Sequence, residues 1–256
     1  MFEDDQEQRI LRKTRGKRRG IYLLPNLFTT ASLFAGFFSI VQGYAGHFSQ
    51  AAAAIFVAMV LDSLDGRVAR MTKTQSPFGA EYDSLSDMVS FGVAPALLIY
   101  VWALNQLGKL GWLAAFVFVA GAALRLARFN TMLEVADKRW FTGLPSPAAA
   151  ALVAGFVWIS HDNEIIARNV LWLAWAITLF AGLTMVSNVK YYSFKTINLR
   201  KSVPFMTIAL LVIIFALIAW YPPLVLFSCF VIYALSGFVL TGWFLWKKKR
   251  GRDAAT

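Results

Sequence analysis

Four aspartates on a fixed spacing mark the part of this chain that could do chemistry. The sequence runs Asp62-Ser-Leu-Asp65-Gly66-Arg-Val-Ala69-Arg70, then eight residues, then Gly79-Ala-Glu-Tyr-Asp83-Ser-Leu-Ser-Asp87. On a helix, positions 62, 65, 66 and 69 fall at i, i+3, i+4 and i+7 and share one face; positions 79, 83 and 87 share another. The first face carries two carboxylates beside Gly66 and Ala69, small enough for a ligand or a second backbone to come close. A short connection makes the two helices an antiparallel hairpin on which all four carboxylates converge. Repulsion and desolvation oppose their joint ionisation unless cations sit among them. Hard oxygen donors suit Mg²⁺ or Mn²⁺. Four aspartates can hold two such ions about 3.5–4 Å apart, an arrangement that clamps attacking and leaving oxygens in phosphoryl transfer. Arg70, one turn past the first pair, is placed to contact a phosphate. Helix capping or balance of nearby arginines would explain one such aspartate, not four at this spacing. Glu81 and Tyr82 fall off the Asp83/Asp87 face.

The elements that position these residues follow from composition. The chain has 256 residues, 58% of them hydrophobic and only 15% charged, with a mean hydropathy of +0.58. Soluble domains carry about a quarter of charged residues. Long apolar runs recur from Tyr22 to Trp246, continuous rather than alternating with period two. They predict an all-α polytopic transmembrane helix bundle, not a globular domain or a β-barrel. Eight spans are expected, at 22–43, 50–70, 82–104, 111–130, 146–160, 169–187, 204–220 and 223–246, the fifth short enough to be tilted or broken.

Charge orients the bundle. Of the 25 Lys and Arg residues, 23 fall in the two tails, in the connections 71–79, 131–145 and 188–202, or at the adjoining helix ends. Only Lys109 and Arg168 fall among the other connections. This positive-inside bias predicts cytoplasmic termini, an even number of spans and an acidic cluster at the cytoplasmic mouth. It also accounts for the net charge of +11 without a nucleic-acid partner. No cleavable signal peptide is expected, because the polar start to Gly20 precedes a run long enough to span. The basic stretch Arg9–Arg19 reads equally as an interfacial helix on anionic lipid or as a solvated positive-inside flag. Cys229, the single cysteine, excludes an internal disulfide and is expected to be a small packing residue. His47 and His161 are expected as solvated residues of external loops.

The pattern Asp-x₂-Asp-Gly-x₂-Ala-Arg-x₈-Gly-x₃-Asp-x₃-Asp, met at all eight fixed positions, resembles the signature of the CDP-alcohol phosphotransferase family. Further stretches resemble its bacterial membrane-embedded phosphatidylserine-synthase branch. They are Leu24-Pro25-Asn26, Arg125-Leu-Ala-Arg128-Phe-Asn130, Gly143-Leu-Pro-Ser-Pro-Ala and Ser187-Asn-Val-Lys-Tyr-Tyr-Ser-Phe-Lys195. The resemblance implies a di-metal site among Asp62, Asp65, Asp83 and Asp87, with Asp87 as the base that deprotonates the acceptor. It implies that Gly66, Ala69, Arg70 and Gly79 hold the CDP part of the donor. The implied reaction moves the phosphatidyl group of CDP-diacylglycerol to L-serine in the bacterial inner membrane and releases CMP, and the implied assembly is a homodimer. A six-helix catalytic core at 22–200 would follow a basic segment at 1–21 and precede two added spans at 201–246 and a basic tail at 247–256.

Arg125, Arg128 and Asn130 end the fourth span on the cytoplasmic side. Arg125 and Arg128, at i and i+3, could take the acceptor's carboxylate or a lipid phosphate, or form an ordinary positive-inside helix end. Asn26, Asn188 and Lys190 are similarly placed. Two rival readings remain: the same chemistry with glycerol 3-phosphate, choline or inositol as acceptor, and a cation or proton transporter. Against transport, all four acids cluster at one mouth and the other spans hold no acid.

Overall fold

A computed structural model of the chain describes residues 25–72, 76–132, 140–192 and 205–253. Eight helices run through them, one for each expected span. They are α1 (Pro25–Tyr44), α2 (Phe48–Thr72), α3 (Pro77–Trp102) and α4 (Lys109–Met132), then α5 (Ser146–Asp162), α6 (Leu171–Val186), α7 (Phe205–Trp220) and α8 (Pro222–Asp253). Five stretches are long and apolar enough to cross a membrane: α1, α3, most of α4, Ala167–Val186, and Pro222–Trp243 of α8. Of the others, α2 carries the first aspartate pair with Arg67 and Arg70, while α5 and α7 have 17 and 16 residues. With its apolar helices and its lack of any soluble domain among the described residues, the chain is an integral membrane protein.

α3 begins five residues before the expected run at 82, for a local reason. Ser76 accepts the Gly79 N–H at 3.0 Å and Pro77 takes the first helical position, a strong N-terminal signal. Past Asp87 the helix widens into a π turn, Met88–Val93, a feature common beside functional sites.

α5 is the centre of the bundle. From Ala148 to Val157 it is buried, and its alanines let α2, α3, α6 and α8 pack close around it. The span expected to be the least regular is thus the most enclosed. Phe56 of α2 lies 5.8 Å from Trp158 and 6.2 Å from Phe230 of α8, ring centre to ring centre. α7 sits at the periphery against α8.

Two features depart from expectation, one in the connections and one in packing. Strands β1 (Trp140–Thr142) and β2 (Lys190–Tyr192) pair antiparallel, Phe141 opposite Tyr191. Their aromatic and β-branched residues favour strand, but three residues are too few to show a period. Cys229 is exposed rather than packed, on an outward face of α8. A helix apolar on every side gives no periodic signal of which face is inward. His47 and His161 are exposed as expected, His161 edge-on to Phe48 at 5.4 Å.

The two sets of connections gather separately. Ser49 donates to Asp162 at 2.9 Å and Asn163 to Tyr221 at 2.7 Å, joining three of the base-poor connections. Of the base-rich set, residues 140–142 and 190–192 pair as β1 and β2, and Arg128 at the end of α4 donates to Asn188.

Candidate active site at the acidic end of the bundle

α2 delivers Asp62 and Asp65, and α3 delivers Asp83 and Asp87. One oxygen each from Asp62, Asp83 and Asp87 lie within 4.8 Å of one another, the one such group of potential metal ligands among the described residues. Asp65 stands just behind: it is 6% exposed, accepts the Thr29 hydroxyl at 2.9 Å and abuts the Asp83 carboxyl. α1 braces both acidic helices. Ser86 of α3 donates to the Thr29 carbonyl at 3.1 Å, and the Thr30 and Tyr82 hydroxyls lie 2.9 Å apart.

The donor set fits a hard divalent cation. It is all carboxylate oxygen, and Asp87 Oδ1 is buried with no hydrogen-bond partner. Leaving such an oxygen unpaired is costly, and a cation would satisfy it. Asp87 also lies within electrostatic range of the Arg125 guanidinium.

Beside the aspartates the α2 face is open. A Cβ on Gly66 would meet only the Arg70 guanidinium, 4.0 Å away, so Arg70 folds over vacant helix surface. Ala69 is half-buried on the same stripe. Gly79 lies in the first turn of α3, where an added Cβ would sit 3.5 Å from Asn26 Oδ1. Gly66, Ala69 and Arg70 thus share one open stripe of α2, and Asn26 lies beside Gly79.

The end of α4 separates residues that the sequence grouped. Arg125 Nη1 donates to Ser146 Oγ at 2.9 Å, and its Nε is buried without a partner. Arg128 turns away, donating to Asn188 Oδ1 at 2.9 Å and to the Val186 carbonyl at 3.5 Å at the end of α6. Asn130 donates to Ser84 at 3.0 Å, next to Asp83. Lys190 donates to Thr142 across the ribbon at 3.1 Å. Arg125 and Arg128 thus form no joint fork.

Sequence reasoning missed Thr29, Ser84, Ser86, Ser146 and Tyr233, and set Tyr82 aside. A signal existed for Thr29. Asn26, Thr29, Thr30 and Ser32 recur at helical spacing inside an otherwise apolar run. Nothing local marks Tyr233, which reaches the neighbourhood of Arg125 from α8.

A helical membrane bundle with an aspartate hairpin at one mouth defines a class, and the comparison with known families agrees. Residues 22–180 match the family model of the CDP-alcohol phosphatidyltransferases, and the chain belongs to that family of enzymes. It is 37% identical over 220 residues to a CDP-diacylglycerol–serine O-phosphatidyltransferase of Helicobacter pylori, covering 86% of this chain and 91% of that protein. A protein of the same name from Methanocaldococcus jannaschii is 39% identical over 162 residues, 63% of this chain and 73% of that one. An archaetidylserine synthase from Methanothermobacter thermautotrophicus is 34% identical over 170 residues, 66% and 69% of the two chains.

Proposed function

We propose that the chain transfers the phosphatidyl group of CDP-diacylglycerol to the hydroxyl of L-serine, giving phosphatidylserine and CMP. The convergence of Asp62, Asp83 and Asp87 opposite Arg125 carries this reading, and the names of the relatives supply donor and acceptor. Asp62, Asp65, Asp83 and Asp87 would hold two divalent cations, Mg²⁺ or Mn²⁺. Bound there, the cations would offset charge building on the pyrophosphate.

Asp87 takes the proton of the serine hydroxyl. That oxygen attacks the β-phosphorus, the bond to the bridging oxygen breaks, and the electron pair leaves with CMP. The open stripe of Gly66, Ala69 and Gly79 gives the cytidine diphosphate room, and Arg70 meets its phosphates. Arg125 takes the acceptor's carboxylate, with Arg128 and Asn130 shaping the mouth around it.

In this reading all eight helices traverse the bacterial inner membrane, residues 22–200 form the catalytic core, and the chain pairs as a homodimer, as the family resemblance implies. Both termini and the site then face the cytoplasm, a placement supported by 23 of 25 basic residues lying on that side. The decisive experiment supplies purified protein with CDP-diacylglycerol, Mn²⁺ and a panel of alcohols. CMP release with serine, and not with glycerol 3-phosphate, choline or inositol, is expected. Release only with another alcohol would overturn the serine assignment.

A further inference from the structure

Both arginines at the end of α4 are gripped by residues that flank the β1–β2 ribbon. Arg125 Nη1 donates to Ser146 Oγ, just past β1, and Arg128 Nη2 donates to Asn188 Oδ1, just before β2, each at 2.9 Å. The path from β1 to Ser146 is tied down on the way. The Gly143 N–H donates to the Val189 carbonyl at 2.8 Å, and the Leu144 N–H to the Thr184 carbonyl of α6 at 3.1 Å. Gly143 has a φ of +83°, and a Cβ there would run into the Met185 carbonyl, so the turn needs glycine. Pro145 then leads into α5, and Ser146 is fully buried in its first turn. The place of the Ser146 hydroxyl is thus set by β2, α6 and α5 together.

What Ser146 takes from Arg125 decides what is left. A planar guanidinium meets a carboxylate side-on through Nε and Nη2, and Nη1 lies off that edge. Ser146 engages Nη1 and so leaves the edge open, with Nε buried and without a hydrogen-bond partner. A buried N–H left unpaired is costly, and an anionic oxygen would satisfy it. Arginine is rich in rotamers, so holding one end of it beforehand lowers the ordering cost of binding.

The ribbon in turn is backed by α8. The Lys190 N–H donates to Thr241 Oγ1 at 2.9 Å, the Tyr191 hydroxyl to the Ala234 carbonyl at 3.0 Å, and the Tyr233 hydroxyl to the Tyr192 carbonyl at 3.2 Å. The Tyr191 ring is fully buried and passes where a side chain at position 237 would project. Three successive residues of β2 are thus laced to one face of α8.

We infer that Ser146 is a positioning residue for acceptor binding: framed by the ribbon and α8, it pins Nη1 of Arg125 and leaves the Nε/Nη2 edge to take the acceptor's carboxylate. The inference rests on the reading of Arg125 as the acceptor-binding residue. β2 and α8 lie beyond residue 180, where the match to the family model ends. The frame that favours a carboxylate-bearing alcohol is therefore built partly from outside the matched region.

The test measures KM for serine and for CDP-diacylglycerol separately, with full-length protein in lipid nanodiscs. The variants are Ser146→Ala, Ser146→Thr, Arg125→Lys, Gly237→Ala and the double variant of Ser146→Ala with Arg125→Lys. Losing one hydrogen bond on the guanidinium should raise the serine KM of Ser146→Ala about five-fold. The KM for CDP-diacylglycerol should stay within about two-fold on the same scale of effects. Ser146→Thr keeps the hydroxyl and should stay near the parent. In the Arg125→Lys background the further effect of Ser146→Ala should shrink to within about two-fold, because an ammonium has no edge to aim. Gly237→Ala displaces the Tyr191 ring and touches neither Ser146 nor Arg125, yet it should raise the serine KM as well; a parent-like value there would overturn the frame. A merely structural serine would lower folded yield and kcat with no split between the two KM values, or give additive losses in the double variant, and either result overturns the positioning role. So does an unchanged serine KM in Ser146→Ala beside a raised one in Arg125→Lys, which leaves Arg125 as the acceptor residue. If Arg125→Lys instead weakens only CDP-diacylglycerol, the reading of Arg125 fails and the inference falls with it.

Discussion

Asp87 and Thr29 act on the same carboxylate cluster in opposite ways. Asp87 offers a buried oxygen that nothing in the protein satisfies, so it is poised for a proton or a cation. Asp87→Asn keeps the shape and removes the base. CMP release should fall by about 10²–10⁴-fold, the usual contribution of a positioned base, while CDP-diacylglycerol still binds in an equilibrium assay. Unimpaired turnover would remove the role given to Asp87. Thr29, by contrast, holds Asp65 at 2.9 Å and touches no expected ligand. Thr29→Val is nearly isosteric but leaves Asp65 to reorient. Loss of such an outer partner costs about 10–100-fold in metal affinity. A titration of CMP release against Mn²⁺ should show the shift, with full velocity recovered at high metal. The two residues also mark how legible the site was. Asp87 stood out because a carboxylate in an apolar run is costly, whereas a threonine there costs little and draws no notice.

At the scale of elements, what could be read depended on whether a helix met water. Ser76, Pro77 and the aspartates at the polar start of α3 follow local rules of capping and charge. Removing the cap in Ser76→Ala should lower stability by about 1 kcal/mol, seen as a lower midpoint of thermal unfolding in detergent. Because α3 carries Asp83 and Asp87, part of the loss should appear as weaker metal dependence. Deep in the bundle those rules fall silent. α5 and α8 are apolar on every side, so periodicity distinguished neither the most buried helix nor the outward placement of Cys229. The pairing of β1 with β2, and with it the link from Tyr191 to α8, depends on residues about fifty positions apart in sequence. Such contacts leave no local trace. A leucine at Gly182 would test a close helix crossing. A side chain there would run into the Phe118 backbone, as one at Gly121 would meet the Gly182 carbonyl, so Gly182→Leu should abolish monodisperse protein by size exclusion, whereas the exposed Leu183→Ala should not.

Across the whole molecule, orientation links the charge pattern to the chemistry. The donor's acyl tails belong in lipid and its cytidine in water, so the aspartates must open at a mouth rather than lie mid-membrane. The separate gathering of base-rich and base-poor connections gives the bundle two chemically distinct ends. The positive-inside bias supports the proposed placement of the aspartate end at the cytoplasmic face. Exposed positions at each end make this measurable. In a Cys229→Ser background, single cysteines replacing Asn169, beside the base-poor connection before α6, and Glu81, beside the aspartates, are both solvent-accessible. A membrane-impermeant maleimide added to intact spheroplasts should label the residue 169 variant and spare the residue 81 variant until the membrane is opened. The reverse pattern would place the site outside, where cytosolic CDP-diacylglycerol headgroups and serine could not reach it, and the proposed reaction would have no substrate supply. If all eight helices cross the membrane as proposed, one correctly placed pair of labels fixes the sidedness of every connection, including the strand-bearing segments β1 and β2.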